Sequence, residues 1–292
     1  MQVTRLTPQL GAAVIGIDLG RLDDIQFAAV TRVWHEHRGL IVFPRQRLSD
    51  DGLLAFSRRI GSLDSPPIQE HGRQSPEGYP DIYVVSNVKD KAGRAIGALG
   101  DGEAVWHTDM SYDPNPPLAS MLIAREIPAS GGDTWFCDMI GAYEDIPPAL
   151  KQRIATLRVK HDGTYNSGGF LRAGFTPTDD PVAAPGTLHP AVIRIPETGD
   201  AALYLGRRRM SYVDGLPLAE SEALLEDLWK YPAAMHRVYK HRWQVGDLVL
   251  WDNRTTMHRR EPFPPTERRI MHRTQIKGTA TPAAYTAKKI AA

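Results

Sequence analysis

Apolar residues recur at helical spacing in two early stretches, and in short dense runs through most of the remaining chain. From Asp24 to Glu36 the residues Phe27, Val30, Val33 and Trp34 share one face, which predicts an amphipathic helix. A strand is expected at 39–43. Ser49 then stands where a helix cap belongs, and Leu53, Leu54, Phe56 and Ile60 predict a second helix that stops at Gly61. With the short, Gly-punctuated apolar segment at 3–18, the chain is expected to begin strand, helix, strand, helix.

Beyond Ile82 the texture changes. β-Branched and aromatic runs at 82–86, 119–124, 134–137, 192–195, 202–205, 243–250 and 269–276 are separated by Gly, Pro, Asn and Asp, a pattern that predicts an antiparallel sandwich or barrel. Two helical patterns interrupt it, at 140–157 and at 217–231, the latter with Leu224, Leu225, Leu228 and Trp229 on one side. Residues 162–187 hold Gly168-Gly169, several prolines and little apolar periodicity. A loop of that length inside a compact fold tends to be functional or disordered, so this one is expected to be an active-site lid or a mobile surface loop.

Composition narrows the class. The chain has 292 residues, 42% hydrophobic and 24% charged, as expected of a globular protein; its length allows one large domain or two small ones, and one domain over 1–292 is expected because no linker marks a boundary. Thirty-five Lys and Arg nearly cancel 34 Asp and Glu, leaving +1, which gives no reason to expect nucleic acid as a partner. The local clusters Arg207-Arg208-Arg209 and Arg259-Arg260 are expected to be solvated faces. The single cysteine, Cys137, excludes an intrachain disulfide and a multi-thiolate metal site; it suits a reducing cytoplasm and is expected to be buried. The first residues lack a basic start followed by an apolar stretch, and no apolar run approaches about 18 residues, so neither secretion nor a membrane span is expected.

Among ten histidines, spacing singles out candidate ligands. His107-Thr108-Asp109 places an imidazole and a carboxylate at i and i+2, which a β-strand would turn to one face. His258, following the apolar run and polar turn of 246–253, is the best third ligand. Two imidazoles and a carboxylate form the facial triad suited to non-haem Fe(II), with positions left open for co-substrate and oxygen. Zinc accepts the same donors, so spacing leaves a zinc or manganese hydrolase or isomerase open.

Longer motifs carry a resemblance. Trp106-His107-Thr108-Asp109-Met110-Ser111-Tyr112 through Pro116-Pro117, Gly131-Gly132-Asp133-Thr134, Trp251-Asp252-Asn253-Arg254 to His258, and Arg268-Arg269-Ile270-Met271-His272-Arg273 occur in the order and spacing of the taurine/2,4-dichlorophenoxyacetate dioxygenase family. The similarity extends to 11–19 and to Phe56-Ser57-Arg58-Arg59-Ile60-Gly61. It implies a double-stranded β-helix, or jelly roll, decorated by helices, and an oxygenase that uses Fe(II), 2-oxoglutarate and O2.

By this resemblance His107, Asp109 and His258 hold the metal, and Arg269 with the Thr134 hydroxyl holds the distal carboxylate of 2-oxoglutarate. A planar guanidinium suits that role because it can donate two parallel charge-assisted hydrogen bonds. Arg273 matches the arginine that reaches the anionic end of the primary substrate, so a small carboxylate, sulfonate or sulfate is expected. Hydroxylation of its C–H bond, with possible collapse to cleavage products, would release succinate and CO2. The chain departs from taurine-type enzymes at Ser62-Leu63-Asp64-Ser65-Pro66-Pro67, which lacks their histidine, and at Glu103, where they have asparagine; taurine is therefore not the expected substrate. Tyr112, Tyr165, Phe170 and Phe175 are candidate apolar contacts for an organic acid. The resemblance also implies a homo-oligomer, a dimer or tetramer. A non-enzymatic binding protein would be expected to have lost a ligand, and all three are present.

Overall fold

Asp23 accepts a hydrogen bond from the Gln26 backbone N–H while the Gln26 side chain accepts one from the Asp23 N–H, and this reciprocal cap starts the helix Asp24–Glu36. Ser49 caps Asp50–Ile60 through the Gly52 N–H, and that helix ends at Gly61. Both early helices thus form where the spacing places them. The structure, a computed structural model, describes residues 1–65, 75–102 and 104–286.

Among the described residues the strands assemble into a large eight-stranded sheet, a four-stranded sheet and two smaller ones. The large sheet runs in spatial order Gln2–Arg5, Ala12–Ile15, Leu40–Phe43, Leu248–Asp252, Ala119–Glu126, Ile270–Ile276, Tyr83–Ser86 and Ala98–Leu99. The four-stranded sheet runs Val238–His241, Thr134–Asp138, Thr256–Arg260 and Ala104–His107, antiparallel throughout.

Strand alternation divides the core into layers. In the large sheet Ile41, Phe43, Met121, Ile123, Leu248 and Leu250 pack on one side with Val30, Trp34, Leu53 and Phe56 of the two early helices. Their sequence neighbours Leu40, Val42, Leu122, Ala124, Val249 and Trp251 face the opposite way and meet Phe136 of the four-stranded sheet. The stretches 40–43, 121–124 and 248–251 are therefore apolar at every position because both faces are covered, not because the period-2 rule has failed. A third cluster joins Cys137 and Met257 of the four-stranded sheet to Leu224, Leu225 and Leu228 of the helix Leu218–Trp229. The expected helix-decorated jelly-roll architecture is the one observed, and Cys137 is buried as expected.

Three expectations are corrected. The run at 243–250 is not one strand, because Val245 and Gly246 turn the chain, Gly246 at φ +87°, and the strand begins at Leu248. The pattern at 140–157 is two short helices, Met139–Asp145 and Pro148–Ile154, because consecutive prolines at 147 and 148 remove N–H donors and push the preceding residue out of helical geometry. The expected loop at 162–187 is trimmed at its ends by the antiparallel strands Arg158–Asp162 and Gly186–Pro190. Between them, residues 163–185 contain no helix or strand beyond the single bridge of Tyr165 with Leu171.

Candidate metal centre

His107 ends the strand Ala104–His107, and His258 is the middle residue of Thr256–Arg260; the two are paired directly across the antiparallel ladder. Opposed residues project to one face, so register alone brings the rings together, their centroids 4.2 Å apart. Asp109 arrives differently from the expected strand alternation. It lies beyond the strand, in a turn where Met110 takes φ 44°, and the turn folds its carboxylate back. His258 likewise sits inside a strand that the sequence pattern did not reveal.

Asp109 Oδ1 is 3.7 Å from His107 Nε2 and 4.0 Å from His258 Nε2. All three donor atoms lie within 4.8 Å of one another, and all three residues are buried. His107 Nδ1 lies 2.7 Å from the Val105 carbonyl, which requires the proton there and leaves Nε2 as the lone-pair donor. Burial, and then the neighbouring His258, drives the His107 pKa well below its usual value. Burial likewise lowers His258 to about 4. For Asp109 burial acts upward, but the Arg273 guanidinium, the two histidines and Ser120 together hold the carboxyl well below the usual range. The centre is thus two neutral imidazoles and one carboxylate at neutral pH, a donor set that fits a divalent metal of the iron type.

The carboxylate is held from behind. Ser120 Oγ donates to Asp109 Oδ2 at 2.8 Å, Asn253 Nδ2 donates to Ser120 Oγ at 3.3 Å, and Trp251 Nε1 donates to Asn253 Oδ1 at 3.0 Å. Arg273 Nη1 donates to Asp109 Oδ1 at 3.0 Å and Nη2 to Gln275 Oε1 at 3.4 Å. Ser120 escaped sequence reasoning, whereas Asn253 lay inside a motif without an assigned task.

Two cavities meet at His107. The first, about 440 Å³, is walled by His107, His258, Thr134, Arg260, Arg269 and Arg273, with apolar Val85, Leu122 and Trp251. Arg269 is 1% exposed, and among the described residues its Nε and Nη1 have no partner. Burial, and then the charge of Arg260, lowers its pKa to about 9. Thr134 is buried beside it and accepts a hydrogen bond from Trp243 Nε1 at 3.0 Å. The second cavity, about 380 Å³, shares Leu99, His107, Ser167 and Arg273 with the first and adds Tyr83, Asp109, Met110, Asn166, Arg172 and Arg207.

The expectation that the arginine clusters are solvated faces is overturned at two positions. Arg260 is 6% exposed and donates to the carbonyls of Leu99 and Gly102; Arg207 is 5% exposed. Arg260 stands two residues beyond His258 on the same strand, so period-2 alternation could have placed it. The remaining aromatic candidates are dispersed. Tyr165 is buried with its ring under Arg209 at 3.5 Å, and Tyr112 carries Arg172 over its ring at 4.3 Å. Phe170, by contrast, is 64% exposed and lines neither cavity, because its loop turns it outward. Glu103, Pro66 and Pro67 lie outside the described residues.

The family model for "Taurine catabolism dioxygenase TauD, TfdA family" matches residues 2–275. The chain belongs to the TauD/TfdA family. It is 32% identical to pentalenolactone F synthase of Streptomyces avermitilis over 94% of this chain and 93% of that one. It is 33% identical to the (S)-phenoxypropionate/alpha-ketoglutarate-dioxygenase of Sphingobium herbicidovorans, covering 98% of this chain and 97% of that one. A crystal structure of AAD-2 in complex with Mn(II) and N-oxalylglycine superposes with a TM-score of 0.77 at 27% identity, covering 96% of this chain and 98% of that one. This TauD/TfdA member is an Fe(II)- and 2-oxoglutarate-dependent dioxygenase, so the oxygenase is selected over the hydrolase and the non-enzymatic binding protein. No helix among the described residues is long and apolar enough to cross a membrane.

Proposed function

We propose that this dioxygenase hydroxylates a C–H bond of a small organic acid, with 2-oxoglutarate seated in the first cavity and the acid in the second. The observation that carries the proposal is Arg269: a guanidinium 1% exposed, with two nitrogens unpartnered, in a cavity walled also by His107, His258 and Thr134. A buried cation without a counter-ion is costly unless a ligand supplies one. The distal carboxylate of 2-oxoglutarate fits that need, taking hydrogen bonds from Arg269 and the Thr134 hydroxyl.

Iron and 2-oxoglutarate, when bound, supply oxygen activation, the co-substrate leaving as succinate and CO2 while the substrate gains a hydroxyl. The chain's residues orient and shield that chemistry. His107 and His258 present Nε2 lone pairs, Asp109 supplies the anionic ligand, and Ser120, Asn253 and Arg273 fix its direction. Val85, Leu122 and Trp251 exclude water from the first cavity. Within one catalytic domain, the segment 162–187 acts as a cover, since Asn166, Ser167 and Arg172 come from it to wall the second cavity.

The relative that acts on phenoxypropionate supports an aryloxy or alkyl acid as substrate, and Arg273 supports an anionic one. Where the hydroxylated carbon also bears an ether or sulfate oxygen, the product would collapse and the net reaction would be cleavage. A single cysteine, Cys137, suits a reducing cytoplasm and so supports a cytoplasmic enzyme, and family membership supports a homo-oligomer, which light scattering after gel filtration tests.

The experiment is anaerobic addition of Fe(II) and 2-oxoglutarate to metal-free protein. A weak visible charge-transfer band, absent when either is omitted, is the expected result. A colourless, metal-loaded protein would overturn the placement of 2-oxoglutarate at the triad.

A further inference from the structure

His258, His107 and Arg207 stand in one row. His107 pairs with His258 on one side of its strand and with Arg207, through an isolated bridge, on the other. Side chains in one row of a sheet project to one face, and Arg207 accordingly borders the second cavity together with His107 and Asp109. The chain reaches this position through Gly206, at φ +68°, whose carbonyl accepts the Thr108 N–H at 3.0 Å. Of three consecutive arginines only Arg207 enters the site: Arg208 is paired with Glu222 at 2.5 Å, and Arg209 lies over the ring of Tyr165.

Among the described residues, the environment of Arg207 lacks a counter-charge of its own. Its Nη1 donates to the Tyr165 carbonyl, the same oxygen that accepts Arg172 Nε at 3.3 Å, and its buried Nε has no partner. Two guanidiniums therefore share one neutral acceptor. Among the described residues, three arginines wall the cavity against one carboxylate, Asp109, which Arg273 already engages. Asp162, the other carboxylate whose charge acts on Arg207, is taken up by the N–H groups of Thr164 and Tyr165. A buried guanidinium with a free donor, a half-buried one beside it and carboxylates already engaged elsewhere describe half of an ion pair.

We propose that Arg207 and Arg172 form the subsite that takes the anionic head of the primary substrate, a carboxylate or a sulfate. This rests on the organic-acid reading given above, and it adds the residues that discriminate charge. Arg273, whose two terminal nitrogens are engaged by Asp109 and Gln275 while its Nε is unpartnered, contributes to the wall and holds Asp109. The free Nε of Arg207 and the half-buried guanidinium of Arg172 supply the donors that an incoming anion meets.

Calorimetric titration of the protein loaded with Mn(II) and 2-oxoglutarate tests the subsite without turnover. The probes are phenoxyacetate and hexyl sulfate, against the neutral 2-phenoxyethanol and hexanol. At least one acid is expected to bind the unaltered protein. Arg207→Gln should weaken that acid by about ten-fold or more, as loss of a charge-assisted hydrogen bond implies, and leave its neutral partner's affinity unchanged. Arg172→Gln, on a segment without regular structure, should act in the same direction and serves as the second variant should Arg207→Gln fold poorly. The arm that responds, carboxylate or sulfate, identifies the head group. Acids that bind both variants as tightly as the unaltered protein would overturn the subsite and leave the organic-acid reading standing. Failure of both acids to bind the unaltered protein would overturn the two together.

Discussion

His258 and His107 face each other across two antiparallel strands with ring centroids 4.2 Å apart, and the metal centre exists because that register is fixed by the sheet rather than by a loop. Asp109 is the one ligand held by side-chain bonds instead, from Ser120 and Arg273. The two kinds of ligand should respond differently to mutation. His258→Ala should abolish the rise in melting temperature that Mn(II) produces and leave the metal-free protein near its original stability. Asp109→Ala should also abolish the metal response and, by leaving Arg273 buried without its carboxylate, destabilise the metal-free protein by about 3–5 kcal/mol. Melting curves with and without Mn(II) read both effects; equal metal-free stabilities would show that the Asp109–Arg273 pair is not holding the fold.

Arg269 carries the opposite expectation for stability. Because its guanidinium is buried with two unpartnered nitrogens, the metal-free protein gains little from it. Arg269→Gln should raise the KM for 2-oxoglutarate by about 10–100-fold, the worth of a charge-assisted hydrogen bond, while the metal-free melting temperature stays the same or rises. Steady-state succinate formation and thermal melting check the pair of outcomes. An unchanged KM would remove Arg269 from the co-substrate site.

The histidine environment sets a pH window. His258 titrates near 4 in the fold against 6.5 for an unperturbed group, burial being the main cause. Between those values the unfolded chain binds a proton that the folded chain refuses. The stability tied to this group is therefore complete above pH 6.5 and is lost as pH falls from there to about 4. Protons should likewise compete with metal at this residue only in strong acid, so Mn(II) affinity should stay flat from about pH 7 to about pH 5 and fall below that. A break in the affinity profile at the ordinary histidine value would contradict the buried, neutral pair.

Much of this arrangement was legible in the sequence, and the reasons for the gaps are physical. The capping residues Asp23 and Ser49, and the apolar spacing behind them, are local signals and gave both early helices. Phe43, Ile123 and Leu250 lie in runs dense enough to mark strands, but the strand Thr256–Arg260 is Thr-Met-His-Arg-Arg, polar because it lines a site, and pattern reasoning passes over such a strand. The i, i+2 spacing groups Asp109 with His107, but a turn and not a strand returns it. Arg207 left no signal at all. An arginine among arginines looks solvated, and its burial follows from a bridge to His107, 100 positions earlier in the chain.

Gly206 tests whether that bridge organises the site. Its φ of +68° belongs to the left-handed region, and a Cβ there would approach His161 Nδ1 to 2.3 Å and Cγ to 2.7 Å. His161 is fully buried, flanked by His189 and Tyr204, so it cannot withdraw. Gly206→Ala therefore combines backbone strain with overpacking and should cost about 2–5 kcal/mol. The displacement would reach the metal centre through two bonds of the same segment: the Gly206 carbonyl to the Thr108 N–H, and the bridge of Arg207 to His107. Metal affinity should fall along with stability, although no ligand has been altered. Gly215→Ala provides the control, since Gly215 has a similar φ of +78° but open space around its Cβ position and lies outside both cavity walls. That variant should lose stability through strain alone and keep its Mn(II) affinity; parallel losses of affinity in the two variants would mean that the segment does not position His107.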